Sequence, residues 1–356
     1  MDLNLLRKDL HMHPQASGHE QYAHDRVVAL LQSMAPTGLW THVGGWGVVA
    51  LWHVGAPVTI AFRADTDALP IGHRCGHDGH TAILLGLAQW VDSHVRQLRK
   101  NIMLIWQPEE ETGYGAQKIV DSGLLQQYDV SAIFALHNLP GFELGAVVLN
   151  RHTFAAASVG VTYRFQGRPT HASTPELGLS PGLAVADAIR AFDAFNTGES
   201  QTDRFRQATL IHIDAGEPAF GTAAAQASLS FTLRAYTNKG MQEFRHQADA
   251  LMAQLADRYG LGLSMSQCDP FMATENTPHI VDDVCKAALS GNLEVTMIDK
   301  PFRWSEDFAS YLAICPGCLM GIGAGVSHLE LHHPDYDFPD DMMPQAVALF
   351  AAIAEM

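Results

Sequence analysis

The chain opens with apolar residues at helical spacing and then shifts to short, dense apolar runs. Leu5 to Met34 predicts a first helix, which Pro36-Thr37-Gly38 ends. Val48 to His53 and Val58 to Arg63 predict strands. Thr81 to Trp90 is apolar and rich in helix formers, so it predicts a helix. Asn101 to Trp106 and Ile133 to Leu136 are continuous apolar runs of buried-strand length. Strand and helix keep alternating to about Asn150, the pattern of an α/β fold whose sheet is flanked by helices.

The pattern changes near Ala157. Strand Val159 to Phe165, helix Pro181 to Phe195, strands Thr209 to Ile213 and Gln226 to Ala235, and helix Met241 to Tyr259 make a βαββα-like unit. That order predicts an inserted α+β domain at residues 157–266. Residues 1–156 and 267–356 then form one discontinuous α/β domain around a mixed sheet. No internal repeat or low-complexity tract interrupts this plan. Gly160, Gly167 and Gly178 are scattered and form no phosphate-binding fingerprint.

Candidate chemistry gathers at the ends of these elements. Cys75-Gly76-His77-Asp78-Gly79-His80 puts a thiol, two imidazoles and a carboxylate in one turn. A thiolate and a neutral imidazole two positions apart suit Zn²⁺ or a similar ion, and the glycines let the backbone turn tightly. The run opens the helix at Thr81, whose dipole favours a thiolate. Gln107-Pro108-Glu109-Glu110-Glu111 follows the strand ending at Trp106. Three adjacent carboxylates repel one another, and either a cation or plain solvent offsets that. With a metal present, one carboxylate can ligate it while a neighbour takes a proton from water. His137 ends another apolar strand, and His332 lies in Leu331-His332-His333-Pro334. Cys75, His77, a glutamate, His137 and His332 are too many for one tetrahedral site. They suit two ions about 3.5–4 Å apart.

Composition narrows the class. At 356 residues, 47% of them apolar and 17% charged, the chain has the balance of a folded protein of two domains. A formal charge of −16 speaks against nucleic acid as a partner. The five cysteines (75, 268, 285, 315 and 318) are odd in number and widely spaced, which favours a reducing compartment and a cytoplasmic location. Cys315-Pro316-Gly317-Cys318 has redox-motif spacing without a thioredoxin-like context, and is read as structural. The N-terminal residues lack a signal-peptide core, and no run of about 20 apolar residues predicts a membrane span.

With these motifs in order, the sequence resembles the amidohydrolase branch of the co-catalytic zinc metallopeptidases, which includes hippurate hydrolase and indoleacetyl-amino-acid hydrolases. The resemblance runs through Leu10-His11-Met12-His13-Pro14 with Glu20, then Phe62 to Pro70, then the cysteine and glutamate motifs. It continues at Leu136 to Gly141, Thr170-His171-Ala172-Ser173, Ser305-Glu306-Asp307-Phe308 and His332 to Phe338. It implies two divalent ions, zinc or manganese, held by Cys75, His77, Glu111, His137 and His332. It also implies Glu110 as general base and a small amide substrate such as an N-acyl amino acid. Glu109 stands where the family usually has alanine. The inserted domain corresponds to a lid that forms a homodimer, with His171 reaching the scissile carbonyl across it. Only Gly72, His73 and Arg74 separate Ile71 from Cys75, where the family carries a loop of a dozen or more residues. That departure bears on substrate size.

Two other functions stay open beside this one: a dipeptidase or exopeptidase of the same fold, and a non-catalytic, metal-dependent binding protein. Asp65 and Asp67 fit either as groups that orient metal-binding histidines or as turn caps. His11 and His13 are expected to bond Glu20 or the Asp65 region. Ser305 is a candidate helix cap, and Ser173 lacks the surroundings of a nucleophile.

Overall fold

Pro14 and Gly18 divide the expected first helix in two. Helix α1 spans Leu3–His11 and α2 spans Gln21–Leu31, with Gly18 between them at φ +82°. Proline removes a helical donor and restricts the residue before it, so the single helix expected over Leu5–Met34 does not form. In the computed structural model, which describes residues 1–196 and 204–356, the chain continues with strands β1 (Gly38–Val43), β2 (Gly47–Trp52) and β3 (Thr59–Asp65). Helix α3 (His77–His94) and strand β4 (Asn101–Gln107) follow, then short helices α4 (Gly115–Asp121) and α5 (Leu124–Gln127), and strands β5 (Val130–Pro140) and β6 (Val147–Leu149).

The inserted segment supplies β7 (Ala157–Gln166), the two-residue β8 (Thr170–His171), α6 (Gly182–Asp193), β9 (Arg206–Ala215), β10 (Thr222–Ala223), β11 (Gln226–Ala235), α7 (Asn238–Tyr259) and β12 (Gly262–Phe271). The chain then forms α8 (Pro278–Ser290), β13 (Val295–Met297), α9 (Ala309–Leu312), β14 (Gly317–Gly325) and α10 (Met343–Glu355). It divides into two compact units. One comprises Met1–Phe154, Thr274–Lys300 and Glu306–Met356, and the other Ala155–Ala273 with Pro301–Ser305.

The larger unit holds an eight-stranded mixed sheet in the order β1-β2-β4-β3-β5-β14-β6-β13. Its central strands β4, β3, β5 and β14 are mutually parallel. Every residue of β3 and β4 is buried, which explains why neither alternates apolar with polar positions: strands covered on both faces show no such period. Helices α1, α3, α8 and α10 share one hydrophobic core with this sheet. The smaller unit is an antiparallel sheet in the order β12-β7-β11-β9, with α6 and α7 packed on it. Alternation is visible here: β11 reads exposed or half-buried at even positions from Gln226 and buried at odd ones. Strand β12, which follows α7, had no counterpart in the pattern read from the sequence.

Candidate metal centre

The carboxyl ends of the parallel strands meet on one side of the sheet, the usual place for a ligand in an open α/β fold. Strand β3 ends at Asp65, β4 leads into Glu110 and Glu111, and His137 and Asn138 lie near the end of β5. Between β3 and α3 the chain must turn sharply enough to bring Cys75 back over the strands. Gly76 makes the turn at φ +96°, and a Cβ there would fall 2.7 Å from the Asn138 amide.

All five expected ligands converge. Cys75, His77 and His137 form one triad, and Cys75, Glu111 and His332 another. Within each, one ligand atom per residue lies within 4.8 Å of the others. Sγ of Cys75 is 3.2 Å from Nε2 of His332, and Nε2 of His77 is 3.9 Å from both Oε2 of Glu110 and Oε1 of Glu111. Two buried atoms in this cluster, Nε2 of His77 and Oε1 of Glu111, have no hydrogen-bond partner. Buried polar atoms are normally satisfied, so the orphaned pair marks a place where a cation fits. The mixed sulfur, nitrogen and carboxylate donor set suits zinc or a similar divalent ion.

The groups behind the ligands fix their orientation. His77 donates through Nδ1 to the Asp67 carbonyl at 3.0 Å, with the Asp67 carboxylate at 3.3 Å. His137 donates through Nδ1 to the Asn138 carbonyl at 2.9 Å. In both rings this puts the proton on Nδ1 and the lone pair on Nε2, as metal ligation requires. Asp67 also accepts from Ser17 Oγ at 2.7 Å and from the Glu111 amide at 3.0 Å, so it ties a ligand-bearing turn to the histidine. Asp65 accepts from His80 Nδ1 at 2.6 Å. These partners make Asp67 an orienting group for His77 rather than a turn cap, while Asp65 holds His80, which is outside the expected ligand set.

Charge is concentrated in this cluster. Burial, with Glu306 and Glu111 beside it, pushes the Glu110 carboxyl well above the usual range. Burial pushes the Cys75 thiol up as well, against the pull of His77. A helix N-terminus alone therefore does not supply the thiolate, and a bound cation would. Burial and the nearby His80 lower His137 to about 3, so its imidazole is neutral and ready to ligate.

Backbone conformation separates the three glutamates. Glu109 takes the left-handed conformation at φ +58°, and its carboxylate meets Lys118 Nζ at 2.6 and 2.7 Å. The buried Glu20 carboxylate accepts from the Glu109 amide at 2.9 Å. Glu110 and Glu111 then form a single 3-10 turn with Thr112, where Glu110 is buried and Glu111 half-buried. His171 is on β8 of the smaller unit. It is exposed, with Nδ1 2.7 Å from Ser173 Oγ.

Sequence reading missed a buried charge network behind Glu110. Arg63 donates to Gln107 Oε1 at 2.8 Å, Asp65 Oδ2 at 2.6 Å, Glu306 Oε1 at 2.9 Å and Asp307 Oδ1 at 2.8 Å. Carboxylate oxygens of Glu110, Glu306 and Asp307 lie within 4.8 Å of one another. The available signal was an arginine inside the apolar strand Thr59–Asp65, since a buried guanidinium requires buried carboxylates. Ser305 is not a helix cap: its hydroxyl accepts from Arg234 at 3.1 Å, and α9 has no side-chain cap. His11 bonds Asp78 at 2.7 Å and His13 the Asp9 carbonyl at 2.8 Å, rather than Glu20 or Asp65.

The chain is similar to known proteins in sequence and in fold. The model of peptidase family M20/M25/M40 matches residues 61–356. A Staphylococcus haemolyticus hydrolase, described as uncharacterized, is 27% identical over 322 residues, 86% of this chain and 83% of the relative. An IAA-amino acid hydrolase of Arabidopsis thaliana is 27% identical over 380 residues, 98% of this chain and 85% of the relative. In fold, the chain matches a Bacillus subtilis dinuclear metal-binding peptidase of the M20 family at a TM-score of 0.85. That match covers 99% of this chain and 96% of the other at 23% identity. No helix among the described residues is long and apolar enough to cross a membrane. The chain belongs to peptidase family M20/M25/M40.

Proposed function

We propose that this protein hydrolyses the amide bond of small N-acyl amino acids with the help of two divalent ions. One observation carries the reading: a buried carboxylate, Glu110, stands beside a complete ligand set that already contains Glu111. Ligation alone does not need a second acid there. Proton transfer does.

Two ions, zinc or manganese, held by Cys75, His77, Glu111, His137 and His332, would polarise the scissile carbonyl and acidify the attacking water. Glu110 accepts the proton of that water as it attacks. The surroundings that raise its carboxyl favour its taking that proton, which it then passes to the departing amine. Arg63, through Glu306 and Asp307, fixes the wall against which Glu110 sits. His171 of a second copy donates a hydrogen bond to the developing oxyanion. The reading therefore includes a homodimer formed through residues 157–266, a cytoplasmic location, and neither nucleic acid nor membrane as partner.

The relative named as an IAA-amino acid hydrolase supports the substrate class, and the Bacillus subtilis protein described as dinuclear supports two ions. The test is a rate survey of purified protein, with Zn²⁺ or Mn²⁺ supplied, on N-acetyl and N-benzoyl amino acids and on dipeptides. Faster turnover of the acyl amino acids is expected. Preference for dipeptides would make the protein a dipeptidase, and metal uptake without any turnover would make it a binding protein.

A further inference from the structure

The short connection into the cysteine motif does more than join two elements. Gly72 N–H bonds the Leu69 carbonyl at 2.9 Å and Arg74 N–H bonds the Gly72 carbonyl at 2.7 Å, so the segment is a pair of tight turns ending at Arg74. From there Arg74 reaches the loop after β14 at two points. Its carbonyl accepts from His332 N–H at 2.9 Å, and its guanidinium Nη1 donates to the Tyr336 carbonyl. Nη1 also lies 3.4 Å from Nε2 of His11, whose Nδ1 is bonded to Asp78 at 2.7 Å. The guanidinium is therefore held from behind by α1 and by the first turn of α3.

Two features of the gripped loop show why this matters. His332 sits at φ +66°, a left-handed conformation that a side-chain-bearing residue keeps only under restraint from its surroundings. The far end of the loop, at Tyr336, is fully buried, with its hydroxyl bonded to the Asn138 amide. Asn138 in turn accepts the Nδ1 proton of His137.

We propose that Arg74 is a positioning residue that clamps the His332 loop to Cys75 and so sets the Cys75–Glu111–His332 triad for a divalent ion. The proposal rests on the metal reading above and deepens it. Arg74 bonds the His332 loop directly and reaches His137 by the longer path through Tyr336 and Asn138, so its effect falls on the ion that His332 and Glu111 would hold. Partners that orient ligands without touching the metal typically carry about 10- to 100-fold in metal affinity.

The experiment is chelator-competed Zn²⁺ titration of the full chain, comparing wild type with R74M and R74K. Methionine keeps the apolar stem and removes the donor, while lysine restores one donor. Wild type should take two ions. R74M should take the first with unchanged affinity and the second about 10- to 100-fold more weakly, and R74K should recover part of that loss. The melting temperature of the metal-free protein is read in parallel and should be nearly the same in all three. Two ions bound by R74M at wild-type affinity would overturn the proposal. So would equal weakening of both ions, or a large fall in the metal-free melting temperature, since either makes Arg74 a general structural residue. A wild type that binds no zinc would instead refute the metal reading itself.

Discussion

Replacing Arg63 with methionine tests whether the buried network behind Glu110 is held by charge. Arg63 is 1% exposed and donates to three carboxylates, those of Asp65, Glu306 and Asp307, besides Gln107. Methionine fills much of the same space, so the loss is mainly electrostatic. Removing one partner from a buried ion pair costs about 3–5 kcal/mol, because it leaves uncompensated charge in the interior. For a folding unit of this size, about 2–4 °C of melting temperature goes with each kcal/mol, which gives a deficit of roughly 6–20 °C. The deficit also has a sign in pH. Burial raises Asp307 well above the ordinary aspartate range, with Arg63 opposing, while His77, His80 and Arg63 hold Asp65 well below that range. Without Arg63, Asp307 rises further and Asp65 loses part of its depression. A carboxyl raised in the folded state contributes stability below its unfolded pKa, about 3.9 for aspartate, and loses it as pH rises through the folded value. A depressed carboxyl contributes above that pKa, and the variant forfeits part of this gain. The Asp65 part is already nearly complete at pH 4, so it is the Asp307 part that makes the variant's deficit grow from pH 4 to pH 8. Melting followed by circular dichroism at four pH values, with chelator present, reads this directly. A deficit below about 2 °C at pH 8, or one that does not change with pH, would refute the argument.

Four further outcomes are expected. Glu110→Gln should keep its metal and lose about 10²- to 10⁴-fold in kcat, since an amide cannot accept the water's proton. Glu109→Gln should lose only a surface pair with Lys118, worth under about 1 kcal/mol, and stay near wild-type rate; the opposite pattern in parallel kinetics would reassign the base. Cys75→Ala should show lower metal content by elemental analysis, and unchanged content would remove Cys75 from the ligands. Mixing inactive His171→Ala with inactive Glu110→Gln should restore activity once labelled chains show subunit exchange. Activity no higher than that of the separate variants would place His171 outside a shared site.

Much of this architecture is legible because burial and chemistry leave separate marks. The dense apolar runs at β3, β4 and β5 announce strands covered on both faces, and the candidate ligands lie at or beyond their carboxyl ends. That is why Cys75, His77, a glutamate, His137 and His332, spread over 258 positions of the chain (75 to 332), could be named together before any fold was known, while the family resemblance singled out Glu111 among the three glutamates. What stayed hidden depended on tertiary contact. Arg63 looks like an interruption in a strand until Glu306 and Asp307 arrive from more than 240 residues away to meet it. Strand β12 has exposed residues at nearly every position, so no alternation marks it, and its pairing with β7 alone makes it a strand. The first helix was overextended because its apolar spacing persists across Pro14 and Gly18, where backbone restriction outweighs pattern.

The run of three glutamates shows how local conformation decides which of several identical side chains can do chemistry. In an extended strand, alternate residues share a face, so Glu109 and Glu111 would point together and Glu110 away. The left-handed Glu109 breaks that alternation. Its own carboxylate is discharged on Lys118, its amide is captured by the buried Glu20, and the following 3-10 turn brings Glu110 and Glu111 to the same imidazole, each 3.9 Å from Nε2 of His77. The two then differ in what lies behind them. Glu111 faces Cys75 and His332, a set of electron-pair donors, whereas Glu110 faces Glu306 and Asp307, a wall of negative charge. A carboxylate among donors can share a cation with them. A carboxylate against other carboxylates binds a proton more readily, and this difference in surroundings is what the proposed division into ligand and base rests on.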